Sequence, residues 1–314
     1  MPRIARLVVK GEAAVYHVIC RSALDGFPLG DVEKEQFVKM LLELSRVYFV
    51  ELLGFSVMGN HAHMLARVHT GEGISEDELR RRFRYYYGAE GEEEGGEEVA
   101  SEDLGNYRAK WGNLSEFVKD LKQRFSRWYN KSRKRRGFFW GERFKSVLLE
   151  EGDTLVNCLA YIDLNAVRAG IVERPEDYRW CSLGYHLQAG NAGGLLSLDF
   201  GLRSFSNRSD EERLLKYRQY VYEVGSQPSG KGAKIGDAIF EEEEKKGFRV
   251  GGMNRFLLRT RYFTDSGVLG TKEFVSRHYR LFEEYFTCRR EKRPLPVAGL
   301  DGVYSLKRLA EATQ

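Results

Sequence analysis

Two histidines one residue apart, His61 and His63, and a tyrosine with an asparagine four residues on, Tyr161 and Asn165, are the side chains whose spacing could do chemistry together. On a β-strand, residues i and i+2 project to the same side, so two imidazoles can hold one divalent ion through a short chelate loop. On an α-helix, residues four apart lie one above the other, so a phenol and a carboxamide can address one point. A tyrosine hydroxyl titrates near about 10, and its use as a nucleophile needs a site that lowers the barrier, as a metal on the electrophile does. Each feature also has a plain reading. His-x-His is an ordinary polar pair on a sheet, and a tyrosine on a helix flank is an ordinary packing residue in a chain that has 17 of them.

A third group is basic. Between Leu114 and Lys145 there are eleven Lys or Arg residues against three acids. Lys122, Arg127 and Lys131 lie along the stretch, and Arg133, Lys134, Arg135 and Arg136 follow. Phe125, Trp128, Tyr129, Phe138, Phe139 and Trp140 are interleaved with them, so phosphate-neutralising charges stand beside stacking platforms for bases. The competing reading is a solvated helix face over a buried aromatic stripe, to which Phe125 and Trp128 belong by their spacing. The run at 133–136 is the better DNA candidate, because four like charges in sequence repel one another unless an anion is near. Arg168 lies on the polar side of the Tyr161 helix, where it can contact phosphate or cap the helix C-terminus. His17, near the sheet centre in the first strand, could approach the site but reads better as a satisfied structural histidine, and His69 reads as an exposed one.

Positioning these groups needs strands and helices in a definite order. Residues 13–21 are β-branched and aromatic, as in a strand, and 31–48 carry apolar residues at helical spacing, with Asp31 as the expected N-cap. ELLGFSVM and HAHMLARV read as two strands of a hairpin turning at Gly59 and Asn60, residues that tolerate positive φ. Period-two alternation puts His61, His63, Leu65 and Arg67 on one face and Ala62, Met64, Ala66 and Val68 on the other. Residues 89–103 hold eight carboxylates, no basic residue and three glycines, the composition of a solvated loop. A helix follows from Leu114, capped by Ser115, with Phe117, Leu121, Phe125 and Trp128 as its buried stripe. GERFKSVLLE reads as a strand. The last helix of the series opens at Asp153, buries Leu155, Leu159, Ile162 and Ala166, presents Asn157, Tyr161, Asn165 and Arg168 on its polar face, and ends at Gly170. Strand, helix, two strands, helix, strand, helix is a ferredoxin-like α+β plan, an antiparallel sheet with helices on one face.

At 314 residues, and roughly 150 per domain, the chain is long enough for two domains. The expected boundaries are 1–187 for the catalytic part, 188–208 for a glycine-containing linker, and 209–314 for a mostly helical, charged C-terminal part able to bind DNA. No apolar run approaches the ~20 residues of a membrane span, and the first residues show no long apolar segment before a cleavage site, so the expected compartment is the cytoplasm. The four cysteines are scattered without a CxxC pair, as reduced structural thiols would be. A net charge of +4 is modest, so any nucleic-acid binding rests on local clusters rather than on the total.

Two segments carry a family resemblance. VMGNHAHMLARV resembles the histidine-hydrophobic-histidine signature of HUH-type nucleases, and YIDLNAVRAGIVERPEDYRW resembles the tyrosine helix and exit segment of the REP-associated tyrosine transposases. WGERFKSVLLE resembles the strand that precedes that helix, and together the matches cover roughly 3–187 in the family's order. The resemblance implies an enzyme that nicks and rejoins single-stranded hairpin DNA from repeated palindromic elements through a 5′-phosphotyrosine. It makes Tyr161 the nucleophile, His61 and His63 metal ligands, and Asn165 a third ligand. Magnesium or manganese suits the phosphate chemistry, and an imidazole pair also suits zinc. Gly59 and Ala166 depart from the family pattern, which commonly has proline at each position. A monomer is the expected state, with a dimer as the alternative. A DNA-binding regulator without turnover, a nuclease that uses water, and a relaxase-like nicking enzyme are the rival readings of the same residues.

Overall fold

The computed structural model describes residues 9, 11–87, 103–200, 209–227, 232–250, 269–281, 293–296 and 304–305. Its core is a four-stranded antiparallel sheet of β1 (Ala14–Arg21), β2 (Val50–Val57), β3 (His61–Val68) and β4 (Lys145–Leu149), in the order β2-β3-β1-β4. Helix α1 (Asp31–Ser45) joins β1 to β2, and α2 (Glu76–Tyr87), α3 (Leu104–Trp111) and α4 (Leu114–Ser132) join β3 to β4. The antiparallel α+β sheet read from the sequence is therefore the observed one, but its helices do not all lie on one face as expected. Most of the expected acidic loop, 88–102, lies outside the described residues.

The alternation along β3 sorts its side chains as expected. Ala62, Met64, Ala66 and Val68 join Phe37, Leu41, Phe117, Leu121 and Phe125 in the core beneath α1 and α4. Leu65 faces the other way, into a second core with Val15, Leu155, Leu159 and Ile162. That second core belongs to α5 (Asp153–Asp163), α6 (Asn165–Arg168) and α7 (Ser182–Ala189), which cover the β2 and β3 half of the histidine-bearing face. The helices are thus divided between the two faces, and the tyrosine helix lies on the face that carries the histidines.

A β-bulge between Leu52 and Gly54 brings a glycine under α5. A Cβ on Gly54 would stand 2.0 Å from Leu159 Cδ1 and 2.7 Å from Ser182 Oγ, so only glycine lets α5 and α7 settle this close to the sheet. Ser182 Oγ in turn accepts from the Phe55 amide at 2.7 Å.

Several local expectations are corrected. The N-cap of α1 is Gly30, with Asp31 as the first helical residue, and the N-cap of α4 is Asn113, whose side chain accepts from the Ser115 and Glu116 amides. In both cases the expected cap sits one or two positions inside, where Asp31 still faces the positive end of the helix dipole. The hairpin turns without positive φ at Gly59 or Asn60. Its carbonyls are taken instead by outside donors, Asn60 O from the Ser22 amide and Gly59 O from the Leu29 amide, both at 2.9 Å. Helix α5 stops at Asp163 and resumes as α6 at Asn165, so Tyr161 and Asn165 do not share one uninterrupted helix. Gly170, at φ 67°, then ends the pair as expected.

Beyond the sheet, α8 (Asp210–Ser226) packs on α5, and α9 (Asp237–Lys245) packs on α8. Tyr217, Val221 and Tyr222 of α8 belong to the same core as Leu155 and Leu159, so one apolar cluster draws on both sides of the expected 188–208 linker. Further along, α10 (Lys272–Leu281) packs on a small sheet of two-residue strands, β5 (Leu269–Gly270), β6 (Leu295–Pro296) and β7 (Tyr304–Ser305). The C-terminal part is mostly helical, as read. Among the described residues, no helix is long and apolar enough to cross a membrane.

Candidate active site

The antiparallel register decides what surrounds the histidine pair. On β1, Arg21 lies directly across from His61 and Ile19 across from His63. His17, on the same face, reaches diagonally to His63, its Nε2 lying 2.9 Å from His63 Nδ1 with the rings stacked at 5.1 Å. His61 Nδ1 is 2.7 Å from Asn60 Oδ1. That oxygen can only accept, so the His61 proton is on Nδ1 and its lone pair is on Nε2. With the shared proton on His63 Nδ1, donated to His17, the His63 lone pair is likewise on Nε2.

Burial holds all three imidazoles below the ordinary histidine pKa, His63 to about 3, with the charges of its two histidine neighbours adding to the effect. For His61 the nearby Arg21 guanidinium acts in the same direction. The rings are therefore neutral near pH 7, the form that binds metal. Two neutral imidazoles, each with Nδ1 engaged and Nε2 open, are a fitting donor pair for a divalent cation. Among the described residues, no three His, Cys, Asp or Glu side chains are arranged to hold a metal.

Tyr161 stands on the open flank of α5. Its ring meets His63 edge-on at 6.0 Å and His17 at 6.3 Å, yet the residue is 45% exposed, so its hydroxyl can meet a substrate. Arg168 comes back over it. The guanidinium carbon lies 5.0 Å from the ring centre, and Nη1 donates to the Tyr161 carbonyl at 3.1 Å. Arg168 thus caps the interrupted helix, one of the two roles its position suggested, and holds a positive charge beside the phenol. Asn165, after the break, donates from Nδ2 to the Ile162 carbonyl at 3.1 Å. No hydrogen bond links it to either histidine among the described residues.

The basic candidates are dispersed in role. Arg133 pairs with the buried carboxylate of Glu33, Arg135 donates to Asn130 Oδ1 and the Phe138 carbonyl, and Lys122 donates to the Glu142 carbonyl. Arg127, Lys131, Lys134 and Arg136 are exposed. Among the interleaved aromatics, Phe125, Tyr129, Phe139 and Trp140 are buried, Trp128 is half-buried, and Phe138 stands in solvent.

Arg21 was passed over by sequence reasoning, and His17 was weighed as able to approach the site but read as structural. The signal for His17 was its parity on β1, but which β3 residue it meets depends on strand register, which spacing within β1 does not encode. His69 is exposed and lies 3.2 Å from Glu51, within a cluster in which Glu51 also accepts from the buried Arg67, away from the tyrosine.

No family model and no curated protein matches the chain. Among solved structures, a REP-associated tyrosine transposase bound to a REP hairpin is similar at a TM-score of 0.40 and 14% identity, over 63% of this chain and 90% of that chain. Likeness at that level assigns neither a family nor a chemistry.

Proposed function

We propose that the chain is a metal-dependent transposase that cuts and rejoins single-stranded hairpin DNA through a 5′-phosphotyrosine on Tyr161. The observation that carries this reading is an exposed phenol set 6.0 Å, ring to ring, from one of two neutral histidines whose Nε2 atoms are open. Hairpins from repeated palindromic elements are the substrate class suggested by the sequence resemblance.

His61 and His63, with Asn165 as a third ligand, would hold magnesium or manganese, which supplies Lewis-acid polarisation of the scissile phosphate. Tyr161 Oη forms the new bond to phosphorus while the bond to the 3′-oxygen breaks. The phenol gives up its proton, and the departing oxygen takes one up as a 3′-hydroxyl. Arg168, over the ring, favours the developing phenolate, and its own charge is persistent because arginine does not titrate near neutrality. In the reverse sense, a 3′-hydroxyl attacks the phosphotyrosine and frees the phenol, so strands are exchanged without an external energy source.

The test is incubation with 3′-labelled single-stranded hairpins and manganese, followed by denaturing electrophoresis. A protein-bound label is expected for the wild type and not for Tyr161→Phe or His61→Ala. Cleavage that persists in Tyr161→Phe would favour a water nucleophile, and binding without cleavage by the wild type would favour a DNA-binding regulator.

A further inference from the structure

The end of the sheet where His61 opens is built from three tied segments. The hairpin turn at 58–60 accepts from Ser22 and Leu29, and Ala23 donates to the Phe139 carbonyl at 2.8 Å while Gly141 donates to the Arg21 carbonyl at 3.1 Å. Each of the two outer segments sends one phenylalanine into solvent. Phe27 is 80% exposed, and its ring lies where a Cβ on Gly59 would be, 2.7 Å from that position. Phe138 is 88% exposed, although the next two residues, Phe139 and Trp140, are buried. Among the described residues, the only other exposed phenylalanine is Phe274.

Leaving a phenylalanine in water forgoes roughly 1.5–3 kcal/mol of burial, so two of them at one end of one sheet call for an occupant. The surrounding charge says which kind. Residues 127–136 contain six Lys or Arg and no acid, Lys134, Arg136 and Arg21 are exposed, and Arg21 lies directly across from His61. Flat apolar faces among cations match unpaired nucleotides, whose bases stack on aromatic rings while their phosphates meet the basic groups.

We propose that Phe27 and Phe138 are stacking platforms for the unpaired DNA bases flanking the hairpin, which they hold so that the backbone between them passes His61 and Tyr161. This rests on the DNA-cutting function proposed above. Phe27 sits on the His61 turn, and Phe138 precedes the segment tied to Arg21 and Ala23, so both rings stand at the end of the sheet where His61 lies.

The test is binding of a fluorescein-labelled hairpin with oligothymidine flanks, measured by anisotropy in the Tyr161→Phe background so that no covalent product forms. Phe27→Ala and Phe138→Ala should each raise Kd by roughly 5- to 100-fold, with melting temperatures unchanged. Phe27→Tyr and Phe138→Tyr should bind as the parent does. On a hairpin with abasic flanks, the parent should bind as weakly as the alanine variants, and those variants should lose nothing further. Alanine variants that bind like the parent would overturn this proposal alone, as would equal losses on abasic flanks. Tighter binding of an RNA flank would overturn the assignment to DNA. A parent protein that binds no hairpin at all would overturn the function reading along with it.

Discussion

At the scale of single residues, the histidine pair is set by contacts on the atoms that would not touch a metal. Asn60 fixes the His61 tautomer and His17 orients His63. Outer-shell partners of this kind are worth about 10- to 100-fold in metal affinity. His17→Leu should therefore weaken manganese binding by about that factor, read by titrating the free-ion electron paramagnetic resonance signal, while the fold is retained. His17→Gln, which can still present a polar atom near the lost Nε2, should recover part of the affinity. Unchanged binding by His17→Leu would show that His63 needs no such partner. The histidine pair and Tyr161 were candidates from type and spacing, but each had a plain reading that only the sequence resemblance outweighed. His17 was not read as a site residue, because its importance comes from the β1–β3 register, a tertiary fact.

At the scale of elements, Tyr161 is placed by how closely α5 approaches β2, and that approach is set at Gly54. Gly54→Ala puts a methyl 2.0 Å from Leu159 Cδ1. The backbone of β2 is held between β3 and the Ser182 hydroxyl, so the Leu159 side chain or its helix must yield. Overpacking of this sort costs about 1–3 kcal/mol, and a shift of about 1 Å in a reacting group can cost 10²-fold in rate. Gly54→Ala should thus lower the denaturation midpoint and slow adduct formation in single turnover, with hairpin affinity left close to that of the wild type. A variant that loses affinity but not rate would place Gly54 outside this chain of cause. The elements themselves were unevenly legible. Strand β3 had the expected bounds because alternation is strict where one face meets each core. The break at Leu164 was hidden because buried positions 155, 159, 162 and 166 keep helical spacing straight through it. Helix α2 carries Leu79, Phe83 and Tyr86 at helical spacing against the core, a short stripe left unassigned in the sequence, with Leu79 its only fully buried residue.

At the scale of the whole molecule, the tyrosine helix is fastened from behind by helices that follow it in the chain. The fastening is Asp163, fully buried at the end of α5, which accepts from the Leu183 amide of α7 and the Tyr217 hydroxyl of α8. Burial raises the Asp163 pKa to about 6, against the opposing pull of these donors. Because the folded value lies above the unfolded one, this group's stabilisation is complete below about 4 and is lost as pH rises through about 6. Tyr217→Phe removes a donor to the ionised form and should raise the folded pKa further. Its cost should therefore be about 1–3 kcal/mol at pH 8 and clearly smaller at pH 5, where the acid is mostly protonated in the folded state of both proteins. Buried His186, held down to about 4 by desolvation, works in the opposite sense and removes stability as pH falls below 6.5, in both proteins alike. It therefore cancels when the urea denaturation of wild type and Tyr217→Phe is compared at each pH. A cost independent of pH would mean that Asp163 is not charged at neutrality and that the clamp is a neutral hydrogen bond. A cost that grows with pH would show α8 holding the tyrosine helix through a buried carboxylate, and adduct formation by Tyr217→Phe should then fall over the same interval.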